Sequence, residues 1–196
     1  MSTPRQGPGR PREDRIDHSV LAATRKLLAR KGYGALTVDA VAAEAGVSKA
    51  AIYRRFGSKA EMAFRAAVHA AELPSPVDTG SLRGDLRALA RVIKASMGNP
   101  LAVQSGPALI AELAKDPALA ERFRESALGV EVDYVRGILE HAVARGELAE
   151  PPDPAHVHLL MAGPMFYSLF GFQQAVGDDL CERIAQTVAD GLLAAR

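Results

Sequence analysis

Apolar residues recur at helical spacing along nearly the whole chain, and no stretch alternates with the period of two that a strand needs. Ile16, Val20, Ala23 and Leu27 share one stripe, supported by Leu21 and Leu28, which predicts a helix over 16–31. Asp17 opens it, Arg30 and Lys31 close it, and Gly32 caps it. Tyr33 and Leu36 lead into the next element as core residues. Ser58-Lys59-Ala60-Glu61 is a capping box opening a helix to about Glu72, and Leu73–Gly80 is the linker that follows. Ser81 caps a helix to about Met97 with Leu82, Leu86, Leu89, Ala90 and Ile93 on its apolar side. Asn99-Pro100, Asp116-Pro117 and Asp153-Pro154 each pair a capping residue with a helix-opening proline. They predict a segment to about Lys115 broken at Gly106-Pro107, a long helix to about Arg145, and a helix to about Val176. The last helix runs from Asp178 to about Ala195 and repeats Leu180, Ile184, Val188 and Leu192. The fold class is therefore all-α, with about nine helices.

Between the first and fourth helices, Thr37–Phe56 reads TVDAVAAEAGVSKAAIYRRF. Thr37 is an N-cap type, and Val38, Val41, Ala42 and Ala45 recur at helical spacing. Gly46 ends that helix, Val47 plugs the turn, and Ser48 caps a second helix whose Ile52 and Phe56 pack back on the first. Ala42 is small where two steeply crossing helices approach most closely. This spacing is the helix-turn-helix of DNA readers. The second helix leaves Lys49, Ala50, Ala51, Tyr53, Arg54 and Arg55 facing outward, with no carboxylate between Val47 and Ala60. Cations neutralise phosphates and a phenol hydrogen-bonds to them, so this face suits DNA.

Charge sharpens the division. Residues 1–60 hold 12 Lys and Arg against 5 Asp and Glu, whereas 61–196 hold 12 against 18, a basic front of +7 and an acidic rear of −6. The organisation expected is a disordered basic arm over 1–14, a DNA-binding domain over 15–72, and a regulatory and dimerisation domain over 81–196. Gly9-Arg10-Pro11-Arg12 is similar to the core of an AT-hook, so Arg10 and Arg12 either enter an A·T minor groove or belong to a solubilising tail. The N-terminus does not read as a signal peptide, and no apolar run of about eighteen residues or more is present. One cysteine, Cys181, excludes an intramolecular disulfide and fits a reducing cytoplasm. No phosphate loop, G-x-S-x-G or H-E-x-x-H occurs, so neither an enzyme nor a cofactor is expected. His156 and His158 face different ways on a helix and read as surface or capping residues.

The long first helix, the motif GVSKAAIYRRFGSK and the capped fourth helix together resemble the TetR (tetracycline-repressor-like) family over residues 16–65. Thr37, Ala42, Gly46, Val47, Ser48, Tyr53, Phe56, Ser58 and Lys59 sit where that family's pattern expects them. The resemblance implies an all-α homodimer whose rear domain senses a small molecule. Leu160–Phe170 and the helix after it look like the dimerising end of one subgroup.

On this reading Lys49 and Ala50 read bases, Ala51 touches a thymine methyl, and Tyr53, Arg55, Lys59 and Thr37 hold phosphates, with Ser48 beside them. Arg54 can do either. Pro164 frees the carbonyl of Leu160 and kinks its helix, opening room for a ligand. Met97, Met161, Met165, Phe166, Tyr167 and Phe170 offer an apolar lining. Gln104, Tyr134 and Tyr167 offer polar contacts. Surplus apolar residues on the last two helices predict a homodimer on a pseudo-palindromic operator. Two functions stay open: a repressor released by a small apolar effector, or a constitutive DNA-binding structural protein. A large apolar cavity in the rear half favours the first, a solid core the second.

Overall fold

The computed structural model describes residues 10–68 and 75–194, with the backbone alone for 10–14, 126 and 127. Ten α-helices and one π-helical turn account for the described elements, and no strand occurs among them. The helices are α1 (Arg10–Lys31), α2 (Val38–Ala45), α3 (Lys49–Phe56), α4 (Lys59–Ala67), α5 (Leu82–Met97), α6 (Pro100–Leu113), α7 (Pro117–Ala127), α8 (Gly129–Ala144), α9 (Pro154–Phe166) and α10 (Asp178–Ala194). The π-turn spans Tyr167–Gly171.

Most starts follow from short polar side chains. Thr37, Ser48, Ser58, Ser81, Asn99, Asp116 and Asp153 each accept a hydrogen bond from a backbone N–H of the turn they open. Several expectations are corrected. The helix of α1 already includes Arg10, so Arg10-Pro11-Arg12 is a first helical turn rather than an extended arm, and proline is tolerated there. Residues 1–9 lie outside the described residues, as do 69–74, onto which the fourth helix was expected to continue. Pro107 does not break α6. Proline offers no N–H to the carbonyl of Val103, and Val103 is exposed, so water can take that place. The helix predicted from Asp116 to Arg145 is two, because the chain bends at Leu128-Gly129, where no side chain caps α8. The helix predicted to reach Val176 stops at Phe166 and widens into the π-turn, three residues beyond Pro164.

Two apolar cores result. One gathers Val20, Leu28, Val41, Ile52, Phe56 and Met62 from the first four helices, Tyr33 from the turn after α1, and Leu109, Leu119 and Phe123 from α6 and α7. The other joins α5, α8, α9 and α10 through residues such as Leu86, Ile138, Met161, Met165 and Ala185. The linker thus divides the chain but not the cores, since α6 and α7 belong with the head. The stripe of α10 is also corrected: Ile184 and Val188 are buried in the second core, and Leu180 and Leu192 pack against it. That stripe serves the protomer's own core. Of the exposed large apolar residues, Leu159, Leu160, Phe166, Tyr167 and Phe172 gather on α9 and just beyond it, while Tyr53, Val103 and Val130 stand apart on other helices.

The described part of the linker is docked. A Cβ on Gly137 would meet the Pro76 ring at 2.7 Å, so only glycine lets α8 accept that proline. Asp85 is fully buried and accepts from the Thr79 N–H at 2.6 Å and the Thr79 hydroxyl at 2.7 Å. Arg145, at the end of α8, donates to Asp85 at 2.8 Å and to Glu147 at 2.7 Å. Glu147 in turn accepts the Leu82 N–H at 2.9 Å, which opens α5.

Candidate nucleic-acid interface and ligand cavity

The turn between α2 and α3 is built as its residues dictate. Gly46 adopts φ 67°, a left-handed position, and the Val47 N–H reaches the Ala42 carbonyl at 3.0 Å. Thr37 Oγ1 accepts from Ala40 N, and Ser48 Oγ from Ala51 N, each at 3.2 Å. Ile52 and Phe56 are buried, which fixes the rotation of α3 and leaves Lys49, Ala50, Tyr53 and Arg54 exposed, beside Ser48 and Thr37. Ala51 is half-buried. The Lys49 ammonium sits 2.6 Å from the Asp39 carboxylate, both well exposed, a pair that costs little to exchange for DNA.

Two expected phosphate ligands are engaged elsewhere. Arg55 turns inward: its Nε lies 2.7 Å from Asp17 on α1, and its side chain is 11% exposed. It ties α3 to α1, and its assignment to phosphate is withdrawn. Lys59, the first residue of α4, lies 4.3 Å from the centre of the Tyr33 ring and 3.3 Å from Glu112 on α6. Burial pushes the Tyr33 phenol well above its usual range, and the adjoining Glu112 carboxylate adds to the shift. At the other end of α4, Asn99 caps α6 and donates to the Ala67 carbonyl at 2.8 Å. The first residue of α4 meets the end of α6, and the last meets its beginning. The two helices therefore lie antiparallel, tied at both ends.

A cavity of about 570 Å³ lies beside this pair, walled by α4, α5, α6, α7, α8 and α9. Of the residues expected in a ligand site, Met97, Tyr134, Phe166 and Phe170 line it. Met161 and Met165 do not, being fully buried in the second core, and Gln104 and Tyr167 are exposed outside it. Phe64 and Phe123, stacked edge to face at 4.8 Å, form a wall that the sequence reading missed. The α6 stripe of Ala102, Ser105, Leu109 and Leu113 was the available signal. His158 is also corrected. It is mostly covered, lies on the cavity wall, and its Nε2 is 3.0 Å from Glu131 Oε2. Among the described residues no group of His, Cys, Asp and Glu could hold a metal. Cys181 is buried, and burial pushes its thiol up, away from the thiolate a redox sensor needs.

A capped helix-turn-helix with a polar outer face, carried in front of an all-helical body, defines a DNA-binding regulator. Residues 20–66 match the family described as bacterial regulatory proteins, tetR family. Residues 76–188 match the tetracyclin repressor-like C-terminal domain. The chain is 37% identical over 143 residues to the HTH-type transcriptional regulator Rv1556 of Mycobacterium tuberculosis, covering 72% of this chain and 68% of that one. It is 32% identical over 192 residues to YdeS of Bacillus subtilis, covering 95% and 94%. It is 34% identical over 143 residues to the DNA-binding transcriptional repressor TetR of Mycobacteroides abscessus, covering 71% and 74%. The crystal structure of the TetR family transcription regulator SCO0332 superposes with a TM-score of 0.73 at 26% identity, over 90% of this chain and 97% of that one. The chain belongs to the TetR family of helix-turn-helix transcription regulators. None of its described helices is long and apolar enough to cross a membrane.

Proposed function

We propose that this regulator is a cytoplasmic repressor that holds a pseudo-palindromic operator as a homodimer and leaves it when a small apolar molecule fills the cavity. The observation that supports release is the position of the cavity. Ala63, Phe64 and Ala67 of α4 face it together with Ser105, Leu109 and Leu113 of α6. A molecule wedged there bears on both helices, and α4 begins at the DNA-facing Ser58-Lys59. A phosphate and Glu112 compete for the one Lys59 ammonium, so a shift of α6 alters how firmly that lysine is withheld from DNA. A constitutive DNA-binding protein has no use for so large an apolar void, which lies in the usual range for ligand sites.

In this reading Lys49 and Ala50 contact base edges, while Thr37, Ser48 and Tyr53 position the helix on the backbone, with Arg54 in either role. Lys49→Ala is expected to change preference at one or two base pairs by about 1–3 kcal/mol, measured by competition between operator variants. A uniform loss across all sequences would reassign Lys49 to a phosphate.

Release is tested at Gly163, which lines the cavity and where an added Cβ meets nothing within 4 Å. Gly163→Leu occupies that space and removes a helical glycine, so the fold is expected to tolerate it. The added side chain stands on α9 and leaves the α4 and α6 walls unpushed, so operator affinity should be retained, while the response to compounds that raise the melting temperature of the unaltered protein should be lost. A full response in Gly163→Leu would move the effector site elsewhere.

A further inference from the structure

The cavity's polar groups indicate what kind of molecule it takes, an inference that rests on the cavity being an effector site. Its lining is apolar apart from Tyr33, Ser96, Ser105, Glu131, Tyr134 and His158. Glu131 and His158 hold each other, and the Tyr33 phenol, which also lacks a hydrogen bond, has the Glu112 carboxylate as its neighbour. Two further hydroxyls are unpaired. Ser105 is 3% exposed and Tyr134 is 5% exposed, and neither Ser105 Oγ nor Tyr134 Oη has a hydrogen-bond partner. A buried hydroxyl without a partner is costly, and both of these belong to residues lining a space that a ligand can enter.

From these groups we infer that the effector is an uncharged amphiphile: a hydrocarbon chain or ring system carrying one hydroxyl or carbonyl oxygen, which accepts hydrogen bonds from Tyr134 and Ser105. Head-group charge decides between the candidates. Glu131 is one helical turn before Tyr134 on α8, so a carboxylate head would stand near a carboxylate in apolar surroundings. An ammonium head has no lone pair to accept the two O–H groups, and the Glu131 carboxylate that would attract it is already held by His158. An alcohol or ketone satisfies both hydroxyls and adds no charge to be desolvated, and the aromatic and aliphatic walls take the rest.

The test uses the full-length protein with 1-decanol, decylamine and decanoate, which share a chain and differ in the head. Calorimetry and thermal shift are expected to show decanol binding about tenfold more tightly than either ion. Tyr134→Phe removes the hydroxyl at almost constant shape. Without ligand it should melt no lower than the unaltered protein, because no native hydrogen bond is lost, while decanol binding weakens about fivefold to tenfold. Tighter binding of decanoate or decylamine, no binding of any of the three, or an unchanged decanol affinity in Tyr134→Phe would each overturn the inference. Decanol bound as expected with no effect on operator affinity would sustain the ligand class and contradict the release reading alone.

Discussion

Replacing Leu160 and Tyr167 together by glutamate is expected to yield a folded monomer of about 20.8 kDa that binds its operator about 10²–10⁴-fold more weakly. The two residues are seven apart, two turns along one face, and their exposures are 43% and 60%. Phe172 stacks on Tyr167 with ring centres 4.8 Å apart and extends the patch. Exposed apolar surface on this scale, with aromatic members, marks a partner site. Neither residue lines the cavity or belongs to a core, so the protomer should keep its melting temperature. In a dimer built on this patch, the added carboxylates would face apolar surface and desolvate without partners. The large fall in DNA affinity follows because a dimer engages its second half-site intramolecularly and a monomer cannot. Sedimentation velocity at micromolar concentration checks the mass, and anisotropy titration checks the affinity. A dimer that persists would shift the interface to the outer side of α10.

The second large effect is on stability. Asp85→Ala should cost about 3 kcal/mol and lower the melting temperature by roughly 6–12 °C. Its carboxylate is fully buried and accepts from the Thr79 N–H, the Thr79 hydroxyl and Arg145, so removal leaves donors unmatched. Glu147 and Asp78 still hold Arg145, which keeps the cost near the lower end for a broken buried pair. Asp179→Ala is the control. Its pair with Arg183 at 3.1 Å is largely exposed, and its loss should fall below about 1 kcal/mol. Equal melting temperatures for the two variants, followed by calorimetry, would show that the linker's anchor contributes nothing special.

The head was legible because its instructions are local. Thr37, Gly46, Ser48 and Ser58 each act within four residues of themselves, and each does what its type dictates. The capped prolines at 100, 117 and 154 announced three more helices in the same way. What escaped depends on distant partners or on helix rotation. Nothing near Arg55 or Lys59 in sequence points to Asp17 or Glu112, which claim their side chains across the fold. On α9, Met161 and Met165 are one turn apart and face the second core. Ala162, Gly163 and Phe166 lie roughly 80–180° further around the helix and line the cavity, as does Phe170 in the π-turn beyond it. Choosing bulky residues without choosing a face therefore mixed core with lining. The four-residue stripe on α10 likewise has two possible recipients, a partner chain or the protomer's own α5, and only packing distinguishes them.

The central claim, that filling the cavity and holding the operator oppose each other, is tested most directly by one linkage measurement. An operator duplex is recovered by sequencing the genomic fragments the protein retains, and its affinity is measured at fixed salt with and without a saturating compound that stabilises the unaltered protein. The account predicts a two-fold symmetric site, an affinity lowered about 5–150-fold by the compound, and the same factor when operator is used to weaken compound binding. A compound that binds tightly, requires the Gly163 space, and leaves operator affinity unchanged would contradict it.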